Sequence, residues 1–408
     1  MFNNRAVVLS ILLSTANITG SSGLMIWVDT VLKDGGMILN AYVPVFSYLL
    51  GLSLGCMTIS FFIRKMNIVF FERNIFGFFL LLATINCTLF AKEITLIPVW
   101  LDALHRILWG VISGFIVIMG RNILITAENE KKTNSDFSIL SLALLSLPFL
   151  IPIIFSLLRL NSRTSADFFA AFTYSITSII YFTGFKSHNL KNNNLKKQKQ
   201  KQKQKQKQKQ KHNIKDSVKT NNKLVILFAF SSLVIINVCF FLSLMIMPAM
   251  RTKYFEHIDM TQMYIILLVT WFPCAIGIMK IIKSALLTKR IMIGNILQLF
   301  SLGFCLLSIM INSGILYLLF TIMVFLANTI MQPVFFSYLG LYSKNSLYTL
   351  GMQSGIYVFI TMIILFYTIY LGVGVEEIIA GFTILLISSI VISTIFLSRI
   401  NSNNNIDQ

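Results

Sequence analysis

Twelve long apolar stretches constrain this chain more than any other feature. They lie near 6–29, 37–62, 73–91, 96–119, 137–158, 166–186, 223–248, 262–283, 291–311, 314–339, 347–371 and 376–398. About 20 residues at 1.5 Å each cover the hydrocarbon core of a bilayer. Within lipid a backbone must satisfy its own polar groups, which leaves helices or closed barrels. The weak alternating pattern of barrel strands is absent. The expected fold is therefore an all-α polytopic membrane protein with twelve transmembrane helices in two six-helix bundles. Composition agrees: 56% of residues are hydrophobic, 12% are charged, and the mean hydropathy is +0.77.

Charge divides the chain at its centre. Of 34 Lys and Arg, 14 lie between Lys186 and Lys223, with Asp216 as the only acid there, and Lys197 to Lys211 is a strict Lys-Gln alternation. Such a run cannot bury enough surface to offset the entropy of ordering it. The expected organisation is a six-helix bundle over 1–186, a disordered linker over 187–222 and a second bundle over 223–408. Six spans, a linker and six spans is the layout of transporters built from repeats. Basic residues in the short loops orient it: 13 fall on the N-terminal side and 6 on the other. The positive-inside rule then places both termini in the cytoplasm of a multi-pass inner-membrane protein.

The high net charge of +19 thus reports one segment and not a nucleic-acid-binding face. The five cysteines fall in apolar stretches at spacings of no metal or redox motif. No phosphate-binding glycine loop, metal-ligand cluster or Ser/His/Asp set appears, so neither a primary pump nor an enzyme is expected, and no cofactor or metal is called for.

The fourth stretch carries the most chemistry. Asp102 and Arg106 lie inside it, four apart on one helix face. An ionised group at the centre of a membrane helix costs about 2.5–3.5 kcal/mol on insertion scales, so such a pair faces the protein interior. Gly110 and Gly114 continue that face and permit close approach of another helix or a solute. A proton-driven carrier needs a buried carboxylate, and the candidates for a coupling charge pair are Asp102, Arg106 and Asp29 at the far end of the first span. Polar and aromatic candidates for a substrate cavity are Asn17, Asn237, Trp271, Asn328, Gln332 and Gln353. A Phe- and Met-rich lining with few charges suits an amphipathic or drug-like solute.

The run Arg106-Ile-Leu-Trp-Gly110-Val-Ile-Ser-Gly114, its continuation to Gly120-Arg121, and the pair Gly51 and Gly55 in the second span resemble the major facilitator superfamily. Within it they are similar to the bicyclomycin and chloramphenicol resistance branch of twelve-helix drug:proton antiporters. The resemblance implies secondary active transport by alternating access, with multidrug efflux coupled to protons and antibiotic resistance as the outcome. It implies a monomer whose partners are a small-molecule substrate, protons and the lipid bilayer, with no nucleic acid. Lys65 keeps the expected chemistry of the family's basic loop motif after the second helix. Arg64 stands where that motif has Asp, Asn67 replaces a Gly, and no acid occurs near Ser21 and Ser22 where the branch carries one. The alternatives are a carrier of one specific metabolite and a transporter-like receptor without flux.

Overall fold

The computed structural model describes residues 38–65, 68–90, 99–127, 130–158, 163–184, 215–282, 285–343, 345–372 and 375–406, and, in the first span, helical Ile11, Thr15, Leu24, Val28, Asp29, Val31 and Leu32. Asn17 and the Lys-Gln run lie outside these residues, as do the side chains of Lys65 and Arg121. Spans two to six are α1 (Ile38–Lys65), α2 (Ile68–Phe90), α3 (Val99–Ala127), α4 (Glu130–Leu157) and α5 (Arg163–Gly184). The second half holds α6 (Lys215–Met245), the short α7 (Met247–Tyr254), α8 (Met260–Ile282), α9 (Leu287–Ile311), α10 (Gly314–Tyr342), α11 (Ser346–Tyr370) and α12 (Val375–Ile406). Among the described residues, eight helices are long and apolar enough to cross a membrane. The chain is an all-α, multi-pass membrane protein of two helical bundles.

Two boundaries differ from the sequence expectation. Helix α6 starts at Lys215, inside the stretch 187–222 read as linker. Adding turns to an existing helix fixes one residue per hydrogen bond and avoids the cost of a new nucleus. The seventh apolar stretch, expected to run unbroken to 248, ends at Met245. Pro248 sits in the first turn of the separate helix α7, where its missing N–H costs nothing. Helix α8 opens on a reciprocal capping box: Gln262 N donates to Asp259 Oδ1 at 2.7 Å and Asp259 N to Gln262 Oε1 at 3.2 Å.

Glycines set the tightest packing, that of α1 on α3. A Cβ on Gly51 would strike the Ile107 carbonyl, and one on Gly55 the Val111 carbonyl. Conversely, a Cβ on Gly110 would strike the Tyr48 carbonyl, and one on Gly114 would lie 2.6 Å from Cys56 N. Both glycine pairs thus meet one another, and the Gly110 face admits a helix, not a solute. Without a hydrophobic drive between helices in lipid, such backbone approach is a main source of association. Gly110→Val is expected to lower stability by about 3 kcal/mol, the upper part of the overpacking range, because rigid backbone stands in the way. Thermal melting of purified protein checks this, with Gly303→Ala as the control, since nothing lies within 4 Å of a Cβ there.

Helix α1 also forms the seam with the second half. Ser53 Oγ donates to the Gly355 carbonyl of α11 at 2.9 Å. A Cβ on Gly351 would collide with Ser60, and one on Gly355 would lie 3.0 Å from the Ser53 carbonyl. Toward the other end of the seam, Phe46 meets Phe366 edge-on at 5.3 Å.

Candidate functional site

Arg106 is 1% exposed and lies about two turns inside α3. Its guanidinium donates to both carboxylate oxygens of Asp167 on α5, Nη1 to Oδ1 at 2.9 Å and Nη2 to Oδ2 at 3.1 Å. Asp102, expected as its partner, is 3.6 Å from Nε in a looser ion pair. The planar fork matches a carboxylate in two parallel bonds, so the bidentate partner is the stronger one. The Arg106–Asp102 pairing is therefore real but secondary. Asp167 is the acid that sequence reading missed. Its signal was available, since it is an ionisable residue at the start of an apolar stretch with no basic neighbour beyond Arg163.

Around this triad the N-terminal half is aromatic and weakly polar. The guanidinium carbon lies 5.1 Å from the Trp109 ring centroid, a cation–π contact. Trp109 Nε1 donates to the Tyr174 hydroxyl at 3.4 Å, and Ser113 lies 3.4 Å from the same hydroxyl. His105 is buried beside Trp109, with ring centroids 5.8 Å apart. Two carboxylates, Asp102 and Asp167, thus face the one Arg106 guanidinium inside the bundle.

Asp29 lies far from this set in function. Its Oδ1 accepts from Arg251 Nε of α7 at 2.8 Å. Both residues are buried, at 6% and 4% exposure. The pair joins the first span to the second half, and the Tyr42 hydroxyl bridges the halves on the same face by donating to the Met245 carbonyl at 2.9 Å. Arg251 lies beyond the Pro248 break, on α7, and is buried there.

The cavity candidates of the second half come together. Gln332 Nε2 donates to Asn237 Oδ1 at 2.9 Å. Asn328 precedes Gln332 by one turn on α10, and all four amide residues, Asn237, Asn328, Gln332 and Gln353, are buried. They mark a break in the apolar core. One cluster holds Val225, Leu233, Ile236, Met331, Phe335 and Leu350. The other holds Val238, Phe240, Trp271, Phe325 and Tyr357. Asn237 falls between Ile236 and Val238, Asn328 and Gln332 between Phe325 and Phe335, and Gln353 between Leu350 and Tyr357. Phe241 packs on Tyr357 at 5.3 Å, which sets Asn237 and Gln353, each four residues earlier, at one level of two parallel helices.

An aromatic layer covers the amides on the Asp29–Arg251 side. Phe149 of α4 reaches across the halves to Trp271 at 6.0 Å and Phe325 at 5.3 Å, and Phe240 lies 4.9 Å from Phe325.

No protein-family model matches the chain, and no curated protein does. Solved structures do. The partially occluded inward-open conformation of the xylose transporter XylE from E. coli superposes with a TM-score of 0.65 at 12% identity, covering 96% of this chain and 95% of that one. The XylE proton:xylose symporter bound to 6-bromo-6-deoxy-D-glucose gives a TM-score of 0.67 at 14% identity, covering 96% and 93%. Identity this low shows the fold alone, and the fold is the one these transporters have: two helical bundles, here meeting along the α1–α11 seam and the Phe149 contacts.

Proposed function

We propose that the protein is a secondary active transporter that moves a small molecule across the membrane by alternating access and couples that movement to protons. The observation that carries the reading is the buried charge set Asp102–Arg106–Asp167, in which two carboxylates face one guanidinium. Asp167 accepts both hydrogen bonds of the Arg106 fork. Asp102, in the looser contact with Arg106, is the group that takes and releases the proton. When Asp102 is protonated Arg106 pairs with Asp167; when it is ionised, Arg106 is shared between two acids. That difference in packing is what a coupling ion needs in order to favour one conformation over another. The protein works as a monomer in the cell membrane with both termini cytoplasmic. The solute is one class of metabolite.

The test is proton movement across the membrane of proteoliposomes, driven by an imposed solute gradient, for wild type beside Asp102→Asn. Coupled flux in the wild type should be lost in Asp102→Asn while solute exchange continues. Undiminished proton movement in Asp102→Asn would remove the proton from this site.

A further inference from the structure

Trp109 is fully buried and is held from three helices at once. On its own helix, α3, it follows Arg106 by three residues. Long helical side chains lean towards the N-terminus, so the indole covers the turn that carries His105 and Arg106. The distances agree: the Arg106 guanidinium carbon lies over the ring, 5.1 Å from its centroid, and the His105 ring is 5.8 Å away. Helix α5 supplies an anchor, since the indole Nε1 donates to the Tyr174 hydroxyl at 3.4 Å. Tyr174 stands two turns from Asp167, on the same face of α5. Helix α1 supplies the third contact, where the Tyr48 ring meets the indole edge-on at 6.2 Å and 81°. A Cβ on the next residue, Gly110, would strike the Tyr48 carbonyl, so α1 and α3 touch through their backbones at this level. The indole thus presents its face to a guanidinium whose fork is already aimed at Asp167.

We propose that Trp109 is the positioning residue of the charge set, an inference that rests on the transporter reading above. The negative face of the ring attracts the guanidinium, more strongly in a desolvated site than in water. That attraction holds the planar fork on Asp167, where it makes two parallel bonds, and leaves Asp102 only the Nε side at 3.6 Å. Asp102 and Trp109 are about 10 Å apart along one face of α3, with Arg106 between them. The guanidinium is therefore drawn from both ends of that face. A weaker pull from the ring gives Asp102 a larger share of Arg106 and Asp167 a smaller one. Trp109 sets how unequally the two acids share their cation, and with it how far Arg106 shifts when Asp102 gains or loses its proton. Through Tyr48 the same ring reaches α1, the helix that forms the seam with the second half.

The experiment is a set of double-mutant cycles on the purified full chain, read as melting temperatures. Asp102→Asn and Asp167→Asn are each made in the wild type, in Trp109→Leu and in Trp109→Phe. In Trp109→Leu, Asp102→Asn should cost about 2–4 °C more than it does in the wild type, and Asp167→Asn about 2–4 °C less. Trp109→Phe keeps an aromatic face and should bring both costs back towards their wild-type values. An indole that only fills space leaves the cost of each acid as it was, because Asp102 and Trp109 are too far apart to couple except through Arg106. A ring-fluorinated tryptophan at position 109 keeps the shape of the indole and weakens its negative face. It replaces Trp109→Leu where that variant gives no folded protein, and should move the two costs in the same opposite directions. Acid costs that do not change, or that change together in one direction, overturn the proposal in either protein. The cycles need neither solute nor proton gradient, so undiminished proton movement in Asp102→Asn removes the coupling reading and leaves the hold of Trp109 on Arg106 standing.

Discussion

Arg106→Gln is expected to destabilise the first half by about 3–5 kcal/mol, the usual cost of removing one partner from a buried ion pair. The loss should be seen as a lower melting temperature and a fall in monodisperse yield. The reason is the loss of the guanidinium that both acids face: Asp102 and Asp167 remain, and both are buried. Two companion variants separate the contributions. Asp102→Asn removes one of the two acids and keeps the bidentate Arg106–Asp167 pair, so its stability should stay near that of the wild type. Asp167→Asn leaves Arg106 with the looser Asp102 contact alone, and its cost should fall between the other two. The triple variant Arg106→Met, Asp102→Asn, Asp167→Leu should recover most of the folded yield, since an apolar replacement of a whole buried set is often neutral or stabilising. Equal loss in Asp102→Asn and Asp167→Asn would contradict the unequal roles that the geometry gives the two acids.

That inequality shows where sequence legibility ends. The helices were readable because a bilayer admits few backbones, so length and hydropathy nearly suffice. Gly51, Gly55, Gly110 and Gly114 were readable as close-packing positions because a spacing of four puts them on one face. Asp102 and Arg106 were readable as a pair for the same reason. Asp167 stands 61 residues from Arg106, and no local rule joins them. Long side chains make the link, with Arg106 and Trp109 reaching Asp167 and Tyr174 on another helix. Arg251 was hidden differently. A basic residue just beyond an apolar stretch is ordinarily solvated, and only the break before α7 turns it inward. Asn237, Asn328, Gln332 and Gln353 could each be picked out as polar residues in apolar spans. Their common level, and the split in the core that it creates, depends on the register of three helices that the sequence does not state.

Exchanging the charges of Asp29 and Arg251 provides the sharpest view of how the halves meet. Asp29→Ala leaves a buried guanidinium, and Arg251→Ala leaves a buried carboxylate, at a point where the first span touches the second half. Each stranded charge costs about 3–5 kcal/mol if it stays buried. Parting the halves on this face hydrates it, so opening becomes the lower-energy response. The Tyr42–Met245 hydrogen bond and the aromatic layer around Phe149 also lie on this face. A cysteine placed at Phe46, behind Tyr42 on the seam, should therefore react faster with a membrane-impermeant maleimide in either single variant, by about tenfold or more for each 1.4 kcal/mol of shift. The exchanged variant Asp29→Arg, Arg251→Asp should return labelling towards the wild-type rate, because the attraction is restored with its sign reversed. Double neutralisation, Asp29→Ala with Arg251→Ala, should fall between, since no charge is stranded and no attraction remains. If both singles label as slowly as the wild type, the pair contributes nothing to closing this face, and the Tyr42–Met245 hydrogen bond and the aromatic layer must hold it.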